Sequence, residues 1–191
     1  MAKEENIILP VLALGGLLLL FSGNGSDSVP IVVPKPGTPY TPTDFIKRYW
    51  KEAQQSQTDT TIPALFTITQ GGLESNWGNS APGYNFFGIK SSSAWKGATQ
   101  LLWTTEVVNG KTVKVQQLFR AYPSARDGFK DHGIFFIVNP RYKEALKHVR
   151  DPLLFAKDVA AAGYATDPNY YDKLSASMKL VTKLLQSNGL I

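Results

Sequence analysis

Residues 70 to 90 read Gln-Gly-Gly-Leu-Glu-Ser-Asn-Trp-Gly-Asn-Ser-Ala-Pro-Gly-Tyr-Asn-Phe-Phe-Gly-Ile-Lys, so that one carboxyl, Glu74, stands where a helical segment runs into a loop rich in rings and glycines. Beside Trp77, Tyr84, Phe86 and Phe87 a carboxyl is partly withdrawn from water, and desolvation favours its protonated form. A carboxyl that keeps its proton near neutral pH is a general acid, and the chemistry this suggests is cleavage of a glycosidic bond. Most helical Glu residues are simply solvated. Here Leu65, Ile68 and Leu73 fall near one helix face with Glu74 at its edge, which is a cleft position. Gly71 and Gly72 each weaken a helix by about 1 kcal/mol relative to Ala, a cost most easily tolerated where a ligand or another backbone approaches closely.

Other catalytic devices are excluded by composition. The 191-residue chain has no cysteine, which removes thiolate nucleophiles, disulfides and Cys-ligated metals together. Its imidazoles are His132 and His148, and no Ser-His-Asp order, zinc-binding His-Glu-x-x-His, phosphate-binding glycine loop or EF-hand loop is present. Carboxylate chemistry remains, with no metal or organic cofactor expected. The net charge is +5. Residues 1–41 carry Lys3 and Lys35 against Glu4, Glu5 and Asp27, a net −1, so the rest carries +6. Such a basic surface attracts polyanions, among them nucleic acid, acidic lipid and the anionic polymers of a bacterial wall. The basic residues are scattered and form no nucleic-acid-binding motif, so no nucleic-acid partner is expected. Oligomeric state is left open.

The elements that position Glu74 can be read from caps and periodicity. Thr41-Pro42-Thr43-Asp44 is a capping box with Pro at the first helical position, followed by Phe45, Ile46, Tyr49 and Ala53 at helical spacing. Pro63 opens the Glu74 helix. Ser124 to Asp127 is a second capping box, opening a helix with Phe129, Gly133 and Phe136 on one face. Asp151 before Pro152 and Asp167 before Pro168 are N-cap signatures of later helices, and Gly163 closes the helix between them. Asp127, Asp151 and Asp167 are thereby explained as caps rather than catalysts. Between the helices, β-rich segments 99–107 and 111–119 flank Val108-Asn109-Gly110, and Asn-Gly is a strong hairpin signal. The alternation puts Leu101, Trp103, Thr105 and Val107 on one face and Gln100, Leu102, Thr104 and Glu106 on the other. On pattern alone Glu106 reads as a solvated hairpin residue.

One folded domain is expected over residues 42–188. Before it, Ile7 to Phe21 form an uninterrupted apolar run of roughly 22 Å as a helix. The positive n-region of a secretory signal is missing, since Glu4 and Glu5 follow Lys3. Residues 1–22 therefore read as a retained membrane anchor, with bilayer thinning absorbing the short length, and residues 23–41 as a Pro/Gly/Ser-rich linker holding the domain off the membrane.

Leu73-Glu74-Ser75-Asn76-Trp77-Gly78, Tyr84-Asn85-Phe86-Phe87-Gly88-Ile89-Lys90, Trp95-Lys96-Gly97, Phe119-Arg120-Ala121-Tyr122, Asn139-Pro140-Arg141-Tyr142 and Ala162-Gly163-Tyr164-Ala165-Thr166-Asp167-Pro168 together resemble the β-N-acetylglucosaminidases of glycoside hydrolase family 73. The hairpin is most similar to that of the family's flagellar-rod peptidoglycan hydrolases. The resemblance runs from about Thr43 to about Leu185 in an unbroken order of blocks, which is more specific than any one motif. It implies an α+β, lysozyme-like, mainly helical domain with a small β-hairpin lobe, cutting the β-1,4 bond between GlcNAc and MurNAc in peptidoglycan glycan strands. Glu74 matches the family's general acid, Glu106 a second acidic residue on the mobile β lobe, and Tyr164 a cleft tyrosine that assists at the anomeric centre. Asn85, Phe86, Lys90, Trp95 and Tyr122 match motif positions and are assigned to substrate binding, the aromatics dividing evenly between sugar stacking and core. Whether Glu106 activates water or the substrate's N-acetyl group supplies the nucleophile stays open.

The departures from the family pattern are Gly71-Gly72, where alanine-rich sequence is usual, and Leu102-Trp103 in the hairpin. An anchor and spacer stand in place of a rod-assembly domain or wall-binding repeats. The expectation is a membrane-tethered peptidoglycan hydrolase facing the cell wall, in a bacterial envelope or in the membrane of a phage virion. Two rivals stay open: a muramidase or lytic transglycosylase on the same scaffold, and a non-catalytic wall-binding virion or envelope protein.

Overall fold

A computed structural model describes residues 39–108 and 111–191; the anchor and linker expected over residues 1–38 lie outside them. No helix of the described residues is long and apolar enough to cross a membrane.

The first helix, α1 (Pro42–Thr60), starts with both halves of the expected capping box, Asp44 N–H donating to Thr41 Oγ1 at 3.2 Å and Thr41 N–H to Asp44 Oδ2 at 3.0 Å. It ends at Thr61, whose backbone is left-handed (φ 66°). That turn sends the chain directly into α2 (Ala64–Glu74). Pro63 leaves the α2 N-terminus without a side-chain cap of its own, and Gln57 of α1 supplies one by accepting from Ala64 N–H at 2.6 Å. The remaining helices are α3 (Ala125–Val138), α4 (Pro152–Ala161) and α5 (Tyr170–Ser187), with short 3-10 turns at Pro82–Tyr84, Pro140–Tyr142 and Ala145–His148.

The sequence suggests an amphipathic α2, but the structure makes it the central helix, buried from Phe66 through Gly72. One core layer packs Phe45, Ile46, Tyr49 and Trp50 of α1 with Ile68, Phe86, Phe87 and Phe129. A second gathers Phe66 with Phe136, Tyr142, Phe155, Tyr164, Leu174 and Met178. Leu65 touches both. A helix enclosed by layers on both sides must bury its polar residues too, and Thr69 satisfies its hydroxyl locally by donating to Leu65 C=O at 2.7 Å.

The close approach at the paired glycines is made by aromatic rings. A Cβ on Gly72 would lie 2.6 Å from the Trp77 indole, and one on Gly71 would lie 3.2 Å from Phe87. Asp151 caps α4 as expected, accepting from Leu153 and Leu154 N–H. Gly163 (φ 74°) closes α4. Asp167, however, sits one turn ahead of α5: it accepts from Asn169 N–H and Lys173 Nζ, while Asn169 occupies the cap position. Pro168 starts that intervening turn rather than the helix itself.

The hairpin pairs β1 (Thr99–Val108) with β2 (Lys111–Arg120) in the antiparallel register Thr99↔Arg120 to Val108↔Lys111, the register a two-residue Asn109-Gly110 connection requires. Its polarity is unexpected. Leu101 and Trp103 are more than half exposed on the outer face, with Leu118 alongside them at 49%, while Gln100, Leu102, Thr104 and Glu106 turn inward. This is therefore a mainly helical domain with a small two-stranded lobe.

Candidate active site

Glu74 is the last residue of α2, and the chain leaves the helix by a strained route. Asn76 (φ 50°) and Trp77 (φ 56°) are both left-handed, followed by Gly78 (φ 83°), a conformation that costs non-glycine residues energy. Trp77 N–H donates to Gly72 C=O at 2.6 Å and Ser75 Oγ to Gly71 C=O at 2.5 Å, closing the helix end. Trp77 thereby folds back onto Gly72, beside the helix end that carries Glu74.

Burial pushes the Glu74 carboxyl up from an ordinary 4.5 to about 7, and among the described residues no cation or hydrogen-bond donor offsets that shift. Tyr164 and Tyr170 are close enough that the charge on Glu74 adds to burial in holding both phenols well above their usual range. Their rings stack at 5.7 Å between centroids, and Tyr164 stacks in turn on Phe136 at 5.9 Å. Tyr164, only 1% exposed, belongs to the wall behind Glu74.

Glu106 lies on the inner face of β1 and forms an ion pair with Lys90 in a half-buried setting. Lys90 is itself tied to β2 by a bridge to Phe119, so both partners belong to the hairpin lobe. Among the described residues Glu74 and Glu106 share no hydrogen bond, each being held by its own lobe.

The other residues assigned to substrate binding separate. Trp95 is partly exposed at the base of the lobe, with its Nε1–H on Ala98 C=O, the Arg120 guanidinium 4.5 Å over its ring and Tyr122 edge-on at 5.8 Å. Asn85, Phe86 and Tyr122 are buried, and their placement corrects the expectation of direct sugar contact. Asn85 Nδ2 donates to Ile89 C=O and Arg120 C=O while its Oδ1 accepts from Ile89 N–H, which pins the loop after Glu74 to the foot of β2. Phe86 packs among Phe45, Tyr49 and Phe129 with no face left for a sugar. Tyr122 donates to Asp131 Oδ2 at 2.6 Å, the same oxygen that accepts from Arg120 Nη1 at 2.7 Å. Asp131 of α3 thus fastens the hairpin to the helical body. Sequence reasoning missed Asp131 because its partners lie in a different element. Gln70, one turn before Glu74 and buried, was detectable by its i, i+4 spacing. Among the described residues no His, Asp and Glu side chains gather into a possible metal site.

The helical body thus carries a buried acid at a helix end, and the hairpin lobe carries a second carboxylate paired with Lys90. Residues 50–183 match the family described as Glucosaminidase, mannosyl-glycoprotein endo-β-N-acetylglucosaminidase, and the chain belongs to this family. It is 36% identical over 139 residues to the peptidoglycan hydrolase FlgJ of Pseudomonas aeruginosa, covering 69% of this chain and 35% of that protein. It is 38% identical over 125 residues to the exo-glucosaminidase LytG of Bacillus subtilis, covering 60% of this chain and 42% of that one. The chain thus spans less than half the length of these relatives. The solved glycoside hydrolase domain of Salmonella typhimurium FlgJ superposes with a TM-score of 0.67 at 30% identity, covering 78% of this chain and 94% of that domain.

Proposed function

We propose that this chain is a peptidoglycan hydrolase that cleaves the β-1,4 bond between GlcNAc and MurNAc. The observation that carries the reading is Glu74, a buried carboxyl at the C-terminal end of α2 that burial raises to about 7. Such a group holds its proton at neutral pH and can pass it to the glycosidic oxygen as the C1–O bond breaks and an oxocarbenium-like centre develops. A water then adds its hydroxyl to C1 and gives its proton to a carboxylate, which restores the balance of the reaction. Glu106, carried on the lobe that faces the cleft, is the second carboxylate available to water or to the developing positive charge, and Tyr164 supports the wall behind Glu74. Trp95, with its ring backed by Arg120 and Tyr122, is the sugar platform at the foot of the hairpin. Lys90 acts on substrate through Glu106, which it holds.

The apolar run 7–21 and the Pro-rich segment after it support a membrane-tethered enzyme, with the catalytic domain facing the wall from a bacterial envelope or a phage membrane. Mass spectrometry of borohydride-reduced muropeptides tests the reaction. Sacculi digested with the chain are expected to yield reduced GlcNAc ends that are missing when Glu74→Gln is used. Reduced MurNAc or 1,6-anhydro ends would instead assign a muramidase or lytic transglycosylase, and bound but uncut sacculi would assign a wall-binding protein.

A further inference from the structure

An antiparallel sheet that meets water on one face normally turns its polar side chains to that face. The hairpin does the reverse. Register partners Leu101 (56% exposed) and Leu118 (49%), with Trp103 (57%) two residues along β1, lie on the outer face, while Gln100, Thr104 and Glu106 turn inward. The outer face continues through exposed Thr105, Lys114 and Gln116, so over this stretch the strands bring it a cation and no carboxylate. Asp131, which reaches the foot of the hairpin, is neutralised there by Arg120. Nothing in the proposed reaction uses the three apolar side chains.

Size and the rest of the chain together point to what covers them. Each strand has 10 residues, which gives a face roughly 33 Å long and about 10 Å wide, on the order of 300 Å². A stable protein interface takes roughly 800 Å² per partner, so a second copy of this chain would be held only weakly. A bilayer needs less. Residues 7–21 form the uninterrupted apolar run, and residues 22–38 separate it from the described domain by at most about 60 Å of extended chain. A domain held within that distance of a membrane meets it at high effective concentration, and a small contact is then enough. Trp is a side chain that the membrane interface favours, with its ring in the apolar boundary and its N–H in water. The leucine pair inserts beside it, and Lys114 suits acidic headgroups.

We infer that Leu101, Trp103 and Leu118 dock the hairpin lobe on the surface of a bilayer containing acidic phospholipid. The inference rests on the reading of residues 1–22 as a membrane anchor. Glu106 lies on the opposite face of β1, so the docked lobe turns it away from lipid, to the side from which a glycan strand arrives.

The test uses the full chain, which has no cysteine of its own, with a single fluorophore on Thr105→Cys beside the patch or on Ala176→Cys, an exposed position of α5. The chain is reconstituted in vesicles of equal parts phosphatidylcholine and phosphatidylglycerol with a nitroxide-labelled lipid as quencher, and attachment is read separately by flotation. Quenching is expected at Thr105→Cys and not at Ala176→Cys. Adding Leu101→Gln, Trp103→Gln and Leu118→Gln together is expected to abolish it, while the chain still floats and keeps its helical circular dichroism. Should that triple change not fold, Trp103→Gln alone decides. Equal quenching at the two positions, or quenching that survives the changes, overturns the inference. A chain that floats with no quenching at Thr105→Cys overturns the docking and leaves the anchor reading standing, whereas a chain that does not float overturns both. A disulfide-linked dimer of unlabelled Thr105→Cys formed without lipid assigns the face to a second copy, and a probe that responds to sacculi instead of vesicles assigns it to the wall; either result overturns the inference.

Discussion

In the helical body the apolar side chains point inward and two aromatic layers enclose α2; in the hairpin lobe Leu101 and Trp103 point outward, while Gln100, Thr104 and Glu106 point in. The inside of the body is a core, where dispersion and the hydrophobic effect reward apolar surface. The inside of the lobe instead carries Gln100, Thr104 and Glu106, the last paired with Lys90. The two halves also differ in how they are fastened. The body is packed throughout, whereas the lobe is gripped at its foot by the Asn85 clamp, the Ile89–Arg120 backbone bond and Asp131. Under the proposed function, a lobe held at one end would close on the glycan and reopen, as catalytic lobes commonly do, while the body holds the proposed acid.

The contrast is broken most severely at Glu74. Glu74→Gln, nearly isosteric and unable to donate a proton, should lower lysis of sacculi by about 10³-fold with wall binding retained, as read by dye release and a pull-down on the same sacculi. At the lobe's foot, Asp131→Ala leaves the Arg120 guanidinium and the Tyr122 hydroxyl without their shared acceptor. A loss of about 3 kcal/mol in denaturant unfolding is expected, with lysis falling because the lobe loses its grip on the body.

The paired glycines of α2 sharpen the comparison within the body. Gly72→Ala drives a methyl to 2.6 Å from the Trp77 ring and should cost about 2 kcal/mol by overpacking. Gly71→Ala meets Phe87 at 3.2 Å, a contact that a small ring shift relieves, and the gain in helix propensity of about 1 kcal/mol brings it close to neutral. Thermal unfolding of the two variants side by side checks the difference.

A further contrast is in stability against pH. Because burial raises the folded pKa of Glu74 to about 7 from 4.5, its favourable protonated form is fully populated below pH 4.5, and that contribution is lost as pH rises through 7. Glu74→Gln should therefore stabilise the protein relative to wild type at pH 8 but not at pH 4, by up to about 3 kcal/mol. Equal effects at both values would mean that Glu74 titrates as a solvated carboxyl. Activity of the wild type should fall on the basic side near pH 7 for the same reason, since the acid must be protonated to act.

Local signals were strong where they depend on neighbours in the chain. The Thr41–Asp44 and Ser124–Asp127 boxes, the Asp151 cap, the Gly163 stop and the Asn109-Gly110 hairpin register all rest on residues a few positions apart. The exception was Asp167: a Pro one residue on suggested a helix start, but the chain spends a turn before α5, and the carboxylate goes to Asn169 and Lys173. The motif blocks also marked Glu74 and Glu106, which lie on the helical body and on the hairpin lobe respectively. What those blocks could not separate was contact with sugar from support beneath it. Phe86, Tyr122 and Asn85 are buried, and Asn85 and Tyr122 tie the loop and the hairpin foot to the rest of the domain, whereas a motif records a residue without recording what it does.

From its sequence alone the chain specified its helices, its hairpin and the carboxyl at the end of α2, because caps, turns and side-chain periodicity are properties of short segments. Tertiary structure alone decided that α2 is central, that the polar hairpin face is the inner one, that Lys90 holds Glu106, and that His132, Gln70 and Tyr170 join α3, α2 and α5 by buried hydrogen bonds. Each of these depends on which surfaces meet across 16 to 100 residues of chain, and burial, which raises the Glu74 carboxyl, exists only once they have met.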